Sequence, residues 1–404
     1  MASDSPIALD AILALASSIR DDGAPATFCF GTDEKPFDSG YSQIYALKFL
    51  DNVTWAVEIP VQAGKSLGRE AAVGAFVESH ATTLTQLDKS GFRWSPKLIR
   101  HDTGHDNLIK HPYLVLSWIH GTELEWTDTV PSKPQNREKI LRQVVDIRLE
   151  LAECTMDLRP EGSEPTLEFL TSVVDGKIMR AATGKEPSFG IRDCLTHRAL
   201  VRHVVNNALD SELFVLSHEA LAAHNIIVDS DYNITGLVGW AFARTIPMQL
   251  ALRLPRFLAI EPDSARETAS QPPPDIPAFA KKYLQPSPAL MADRQLVLSY
   301  LSSFRDDPDQ RWRVILARSM KDVLSDIDAN WRYLIIEACF GRGLHAWLAN
   351  RSWLVDGTEG VIADFLVDFP SEKELVRQVE EFLEADDTED ESIREALLAA
   401  VNSS

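Results

Sequence analysis

Residues 211–258, SELFVLSHEALAAHNIIVDSDYNITGLVGWAFARTIPMQLALRLPRFL, constrain the fold more than any other part of the chain. Three short apolar runs are separated by polar punctuation. Leu213–Leu216 is expected as a strand and His218–Asn225 as a loop. Ile226–Val228 is a second strand, Ser230-Asp231-Tyr232-Asn233 a turn, and Ile234–Val238 a third strand. A helix opens near Pro247, which suits a first helical position because the N–H it lacks would have no intrahelical partner there.

A chain of 404 residues can bury a large core, and two lobes or domains are expected. Its formal charge of −20 argues against nucleic acid and anionic membrane as partners, since both need a basic surface. Part of that charge is local: Glu380, Glu381, Glu384, Asp386, Asp387, Glu389, Asp390 and Glu391 belong to a C-terminal run that reads as a solvated helix face and loop. Cys29, Cys154, Cys194 and Cys339 lie far apart and give neither a disulfide frame nor a zinc site, so a reducing, cytoplasmic setting is expected. No apolar run reaches the roughly 20 residues of a membrane span. Ile7–Ile19 lacks a basic start and reads as an amphipathic helix rather than a signal peptide.

Along the chain, Ser5–Arg20 is expected as a leading helix capped by Ser5 with Pro6 in its first turn. Ile44–Leu50 and Thr54–Ile59 read as strands around an Asp51-Asn52 turn, and Glu70–Leu87 as a helix. Arg137–Leu158 has helical spacing, Leu167–Lys185 suggests a hairpin turning at Asp175-Gly176, and Cys194–Leu209 suggests a helix. Residues 261–288, with Pro272-Pro273-Pro274, read as a long connection. Helices are expected near Ala289–Ser303, Asp309–Ile327, Trp331–Leu348, Glu359–Leu366, Ser371–Glu384 and Ser392–Val401.

The words of the 211–258 segment resemble the catalytic stretch of the aminoglycoside phosphotransferase and choline kinase-like family, in a fungal style. Leu216, Ser217, His218, Asn225, Ile226, Val228, Asp229, Asn233 to Gly236, Trp240, Ala243, Pro247 and Leu250 to Pro255 keep that frame. Trp55–Pro60 is similar to the family's WxxRIP strand, and Pro112–Ile119 with Gly121 to its hinge segment. The resemblance covers roughly residues 37–350 and implies an α+β, protein kinase-like two-lobed fold. Residues 1–36 are then a lead-in, 37–118 a small α/β lobe, and 119–404 a large helical lobe that ends in acidic helices over 371–404.

The same resemblance implies a site whose working parts have changed. The family's catalytic aspartate falls on Ala220 and its metal-binding aspartate on Gly239. Its phosphate-binding basic residue falls on Glu58, and the glutamate that pairs with it falls on His80. A carboxylate at 58 would repel a triphosphate, unless Glu58 simply faces solvent. No Lys or Arg lies between Lys48 and Lys65 to stand in, and the His80 position suggests an ion pair dismantled at both ends. Asn225 remains as a metal-ligand candidate, and His218 is expected to brace the loop. Leu116 and Trp118 mark a hinge whose backbone would face an adenine ring. The loop Asp38-Ser39-Gly40-Tyr41-Ser42 has one glycine, which a turn explains as well as phosphate binding does. His218-Glu219 with His224 lacks the spacing that places two histidines on one helix face, so zinc is not supported.

Two functional classes follow. In the first the chain is a pseudokinase that binds a small molecule or protein, with neither ATP nor magnesium as cofactor. In the second it is an enzyme: an ATP- and magnesium-dependent phosphotransferase with unorthodox groups, or a fold reused for another small-molecule reaction.

Overall fold

The computed structural model describes residues 7–31, 36–61, 70–158, 164–182, 213–219, 221–259 and 286–325. It also describes Cys194, His197, Arg198, Val201, Val205, Tyr333, Ile336, Glu337 and Cys339. Contacts divide the chain into two compact units, one of residues 1–157 with 216–245 and one of residues 158–215 with 246–404.

The first unit is built on an antiparallel sheet. Its strands are β1 (Ala26–Phe28), β2 (Phe37–Asp38), β3 (Gln43–Phe49), β4 (Thr54–Ile59), β5 (Leu98–Asp102) and β6 (Tyr113–Ser117). Their order is β1-β3-β4-β6-β5, with β2 paired to β3. Alternation along the strands gives the sheet two distinct faces. Tyr45, Leu47 and Phe49 of β3, Val57 and Ile59 of β4, and Tyr113 and Val115 of β6 point to one side. There they bury Ile12, Leu15 and Ala16 of helix α1 (Leu9–Ile19). The intervening residues, Ala46, Ala56, Glu58, Leu114 and Leu116, belong to the other face, and all are buried. Helix α2 (Glu70–Lys89) brings Val77, His80, Ala81, Leu84 and Leu87 to its buried side.

Helix α1 starts later than expected. Ala8 is its N-cap and makes no side-chain cap, while its carbonyl accepts from Ala11 and Ile12 N–H. Ser5 and Pro6 lie outside the described residues. Between Phe49 and Val53 the chain reverses with Asn52 at a φ of 64°, a left-handed position that asparagine tolerates.

Also in this unit, β7 (Thr122–Glu123) pairs with β9 (Ile226–Val228), and β9 with β10 (Ile234–Leu237), both antiparallel. Helix α3 (Pro134–Thr155) buries Ile140, Leu141, Val144, Val145 and Leu149, the helical stripe its sequence spacing predicts. Its Gln143 donates to Tyr232 O and accepts from Ile234 N, fastening the β9–β10 turn. Strands β8 (Phe214–Ser217) and β11 (Arg244–Pro247) pair with each other.

The second unit holds helices α4 (Thr166–Ala182), α5 (Met248–Ala251), α6 (Pro288–Leu301) and α7 (Arg311–Ser325). Helix α4 corrects the expectation of a hairpin over Leu167–Lys185. Leu170, Val174 and Ile178, spaced by four, are fully buried and define a helical stripe. Glycine within a helix costs only ~1 kcal/mol relative to alanine, less than burying that stripe gains. Asp175 does not begin a turn; it accepts a 2.6 Å hydrogen bond from Arg198 Nε. Pro247 is the N-cap of α5 rather than its first residue. The proposed connection over 261–288 lies mostly outside the described residues, as do the helices expected beyond residue 348 and Ala220. No helix among the described residues is long and apolar enough to cross a membrane.

Candidate functional site

Strand β4 delivers Glu58 to the sheet face that α2 covers, directly opposite Leu114 of β6 and Ile44 of β3. The residue is only 7 % exposed, so the alternative in which it faces solvent fails. Its Oε1 lies 3.9 Å from Nδ1 of His80, which is 3 % exposed. The two side chains are thus near neighbours, with the carboxyl on the strand and the imidazole on the helix. Burial pushes the His80 imidazole below its usual pKa, although Glu58 opposes that shift. A neutral ring therefore faces the carboxylate at neutral pH, beyond hydrogen-bond distance. Glu78, two residues away on α2, is exposed and contacts His101 at 3.2 Å instead.

The loop between β8 and β9 supplies a second group of residues. His218 is buried, with Nε2 donating to Val238 O at 2.7 Å and its ring edge-on to Trp240 at 4.5 Å. Burial pushes its pKa down to about 4, against the opposing effect of the Val238 carbonyl. His218 is thus neutral and hydrogen-bonded to the loop backbone. Asn225 accepts from Val238 N at 2.9 Å through its backbone carbonyl.

Gly239 has a φ of +85°, a left-handed backbone that suits glycine. A Cβ there would sit 2.9 Å from Asn225 Oδ1 and 3.0 Å from its Cγ and Nδ2. The Asn225 amide packs into the space a side chain at 239 would start from. Asp229 and Asp231 are turn residues: Asp229 Oδ1 accepts from the N–H groups of Asp231 and Asn233. Neither is a substitute carboxylate for the site.

The Asp38–Ser42 loop closes on itself. Gly40 N donates to Asp38 Oδ1 at 2.7 Å, Ser39 N to Ser42 O, and Ser42 N to Ser39 Oγ, both at 3.0 Å. These N–H groups are used by the turn, and a carboxylate accepts one of them. At the tip, Tyr41 packs edge-on against Phe242 at 4.7 Å, and Phe242 also meets Phe76 of α2 at 5.7 Å. This aromatic wall was not anticipated. Its members lie far apart in sequence and follow no period that would connect them.

At the hinge, Leu116 is buried on the Glu58 face, and Trp118 N donates to Thr54 O at 3.1 Å. The Trp118 ring packs on Phe37 at 5.8 Å. The structure thus brings Glu58 to His80, and His218 and Asn225 to Val238, Gly239 and Trp240.

These residues do not fit a magnesium–nucleotide. Phosphate binding calls for cations and free N–H donors, and a magnesium site calls for a carboxylate beside the amide ligand. The site offers a buried carboxylate at 58, a self-bonded loop, and a glycine whose side-chain space Asn225 occupies.

Among solved structures the chain is similar to a Ralstonia eutropha protein assigned to the aminoglycoside phosphotransferases, at 10 % identity and a TM-score of 0.49, covering 90 % of this chain and 99 % of that one. It is similar to a choline kinase of Cryptosporidium parvum at 10 % identity and a TM-score of 0.46, covering 92 % and 97 %. A macrolide 2'-phosphotransferase of Brachybacterium faecium follows at 13 % identity and a TM-score of 0.41, covering 88 % and 98 %. No curated protein sequence matches the chain. The profile of the phosphotransferase enzyme family, APH, matches residues 34–249, just over half of the chain and the span that carries every site residue above. The described residues form an α+β structure, and the chain belongs to the APH phosphotransferase enzyme family.

Proposed function

We propose that this family member is a pseudokinase: a binding or regulatory protein that keeps the phosphotransferase frame and does not transfer a phosphoryl group. The observation that carries the reading is Glu58, buried in the sheet and facing a neutral His80 3.9 Å away. Phosphoryl transfer depends on positioned positive charge and supplies little other chemistry, so a fixed negative charge at the phosphate position opposes the reaction at its centre. Asn225 against Gly239 supports the reading from the metal side, and Ala220 from the general-base side. Losing a general base alone removes roughly 10²–10⁴ in rate. The ligand in this reading is a small molecule or a protein; the chain's acidity disfavours nucleic acid and anionic membrane.

Thermal melting of the full chain with ATP, with and without magnesium, tests this. A ligand of the native state stabilises it by about 2.7 kcal/mol at a hundredfold excess over its dissociation constant. The expected result is no magnesium-dependent shift. A clear shift, together with transfer to any acceptor hydroxyl, would overturn the proposal.

A further inference from the structure

Buried polar atoms are almost always hydrogen-bonded, so the orphans around β4 call for explanation. His80 Nδ1 and Ser42 Oγ are both buried without a hydrogen-bond partner. His80 is 3 % and Ser42 1 % exposed. Ser42 immediately precedes β3, two residues before Ile44, the residue paired with Glu58. The carboxylate of Glu58 completes the group, with His80 as the ionisable neighbour it faces.

As a neutral imidazole, His80 can turn its bare Nδ1 lone pair toward Glu58, leaving two acceptors 3.9 Å apart with no proton between them. A donor nitrogen at the usual ~2.8 Å from each would see them at an angle of roughly 90°, near the spread of two N–H bonds of an ammonium group. Ser42 Oγ offers a further acceptor. One helical turn before His80, Phe76 meets Phe242 and, through it, Tyr41, an apolar wall suited to the carbon part of such a ligand. A metal ion fits less well, because no group of three or more His, Cys, Asp or Glu among the described residues is arranged to hold one.

We propose that the former phosphate position is a binding site for a protonated primary amine, held by Glu58, His80 and Ser42. This rests on the reading that magnesium nucleotide no longer occupies the cleft.

The test is calorimetric titration of the full chain with ethylammonium chloride. Tetramethylammonium chloride, equally charged but without N–H donors, and sodium chloride serve as controls. The expected result is saturable binding of one ethylammonium per chain, weakened at least about tenfold in E58Q, and weak or absent binding of tetramethylammonium. Near-ultraviolet circular dichroism reports whether E58Q keeps its fold. S42A, which removes one hydroxyl, gives an independent variant that is also expected to bind more weakly. No saturable binding by the native chain, undiminished binding by folded E58Q, or equal binding of tetramethylammonium would each overturn the proposal. The last of these would reveal general attraction of cations to an acidic chain. Failure here with no magnesium–ATP binding leaves the pseudokinase reading standing, whereas magnesium–ATP binding with transfer to an acceptor hydroxyl would sink that reading on its own.

Discussion

Gly239→Asp puts a carboxylate where the sequence resemblance would place a metal-binding aspartate. The structure predicts that it damages the protein instead. At a φ of +85° any side chain is strained, and the new Cβ would start 2.9–3.0 Å from three atoms of the Asn225 amide. A left-handed backbone costs an L-residue roughly 1–2 kcal/mol. Displacing Asn225 from its contact adds to this, so a loss of about 1–3 kcal/mol is expected. Gly239→Ala separates the two contributions, because it carries the same Cβ without the charge. The assay is urea unfolding, followed by the fluorescence of the chain's tryptophans, with and without millimolar magnesium. Midpoints should fall for both variants at an unchanged slope. Magnesium should restore neither. A Gly239→Asp protein as stable as the native one, or one stabilised by magnesium when the native protein is not, would refute the argument that a side chain at 239 is strained.

Three further outcomes follow from other parts of the site. Glu58→Lys should destabilise by about 3–5 kcal/mol, because it buries a cation against a neutral imidazole; adding His80→Glu should recover most of that loss, and strict additivity in a double-mutant cycle would contradict the contact. His218, with a folded pKa of about 4 against an ordinary value near 6.5, binds its proton more readily unfolded. Its contribution is therefore fully present above about pH 6.5 and drains away as the pH falls toward 4, by up to about 3 kcal/mol; His218→Asn should flatten that part of the stability profile, and an unchanged profile would rule out the assignment. Phe242→Ala removes the ring contacts to Tyr41 and Phe76, each worth roughly 0.5–1.5 kcal/mol, and should hasten amide exchange in the Asp38–Ser42 loop. Exchange at the native rate would mean the loop is held by its own hydrogen bonds alone.

Much of the frame was legible because local patterns governed it. Thr54–Ile59 is a strand with the bounds its alternation predicts, and the β9–turn–β10 unit follows from apolar runs around Asp229–Asn233. Local pattern misled at Asp175-Gly176, where turn-forming residues were overridden by a buried stripe one helical turn apart. The site was legible in part. The changed residue types at 58, 80, 220 and 239 can be read from the chain, but whether they touch cannot. Glu58 and His80 meet because a strand and a helix pack face to face. Asn225 and Gly239 meet because a hairpin folds its loop back. Nor does the chain alone reveal that the N–H groups of the Asp38–Ser42 loop are spent on its own side chains, since that depends on the turn geometry.

In the pseudokinase reading, the phosphates of a nucleotide meet repulsion from the buried Glu58 carboxylate. Calorimetric titration of the full chain with adenosine, and separately with ATP in excess magnesium, separates repulsion from attraction. Adenosine carries the base that hinge backbone groups would recognise and lacks the phosphates. The prediction is that ATP binds no more tightly than adenosine, with or without magnesium. Tighter, magnesium-dependent binding of ATP would contradict it.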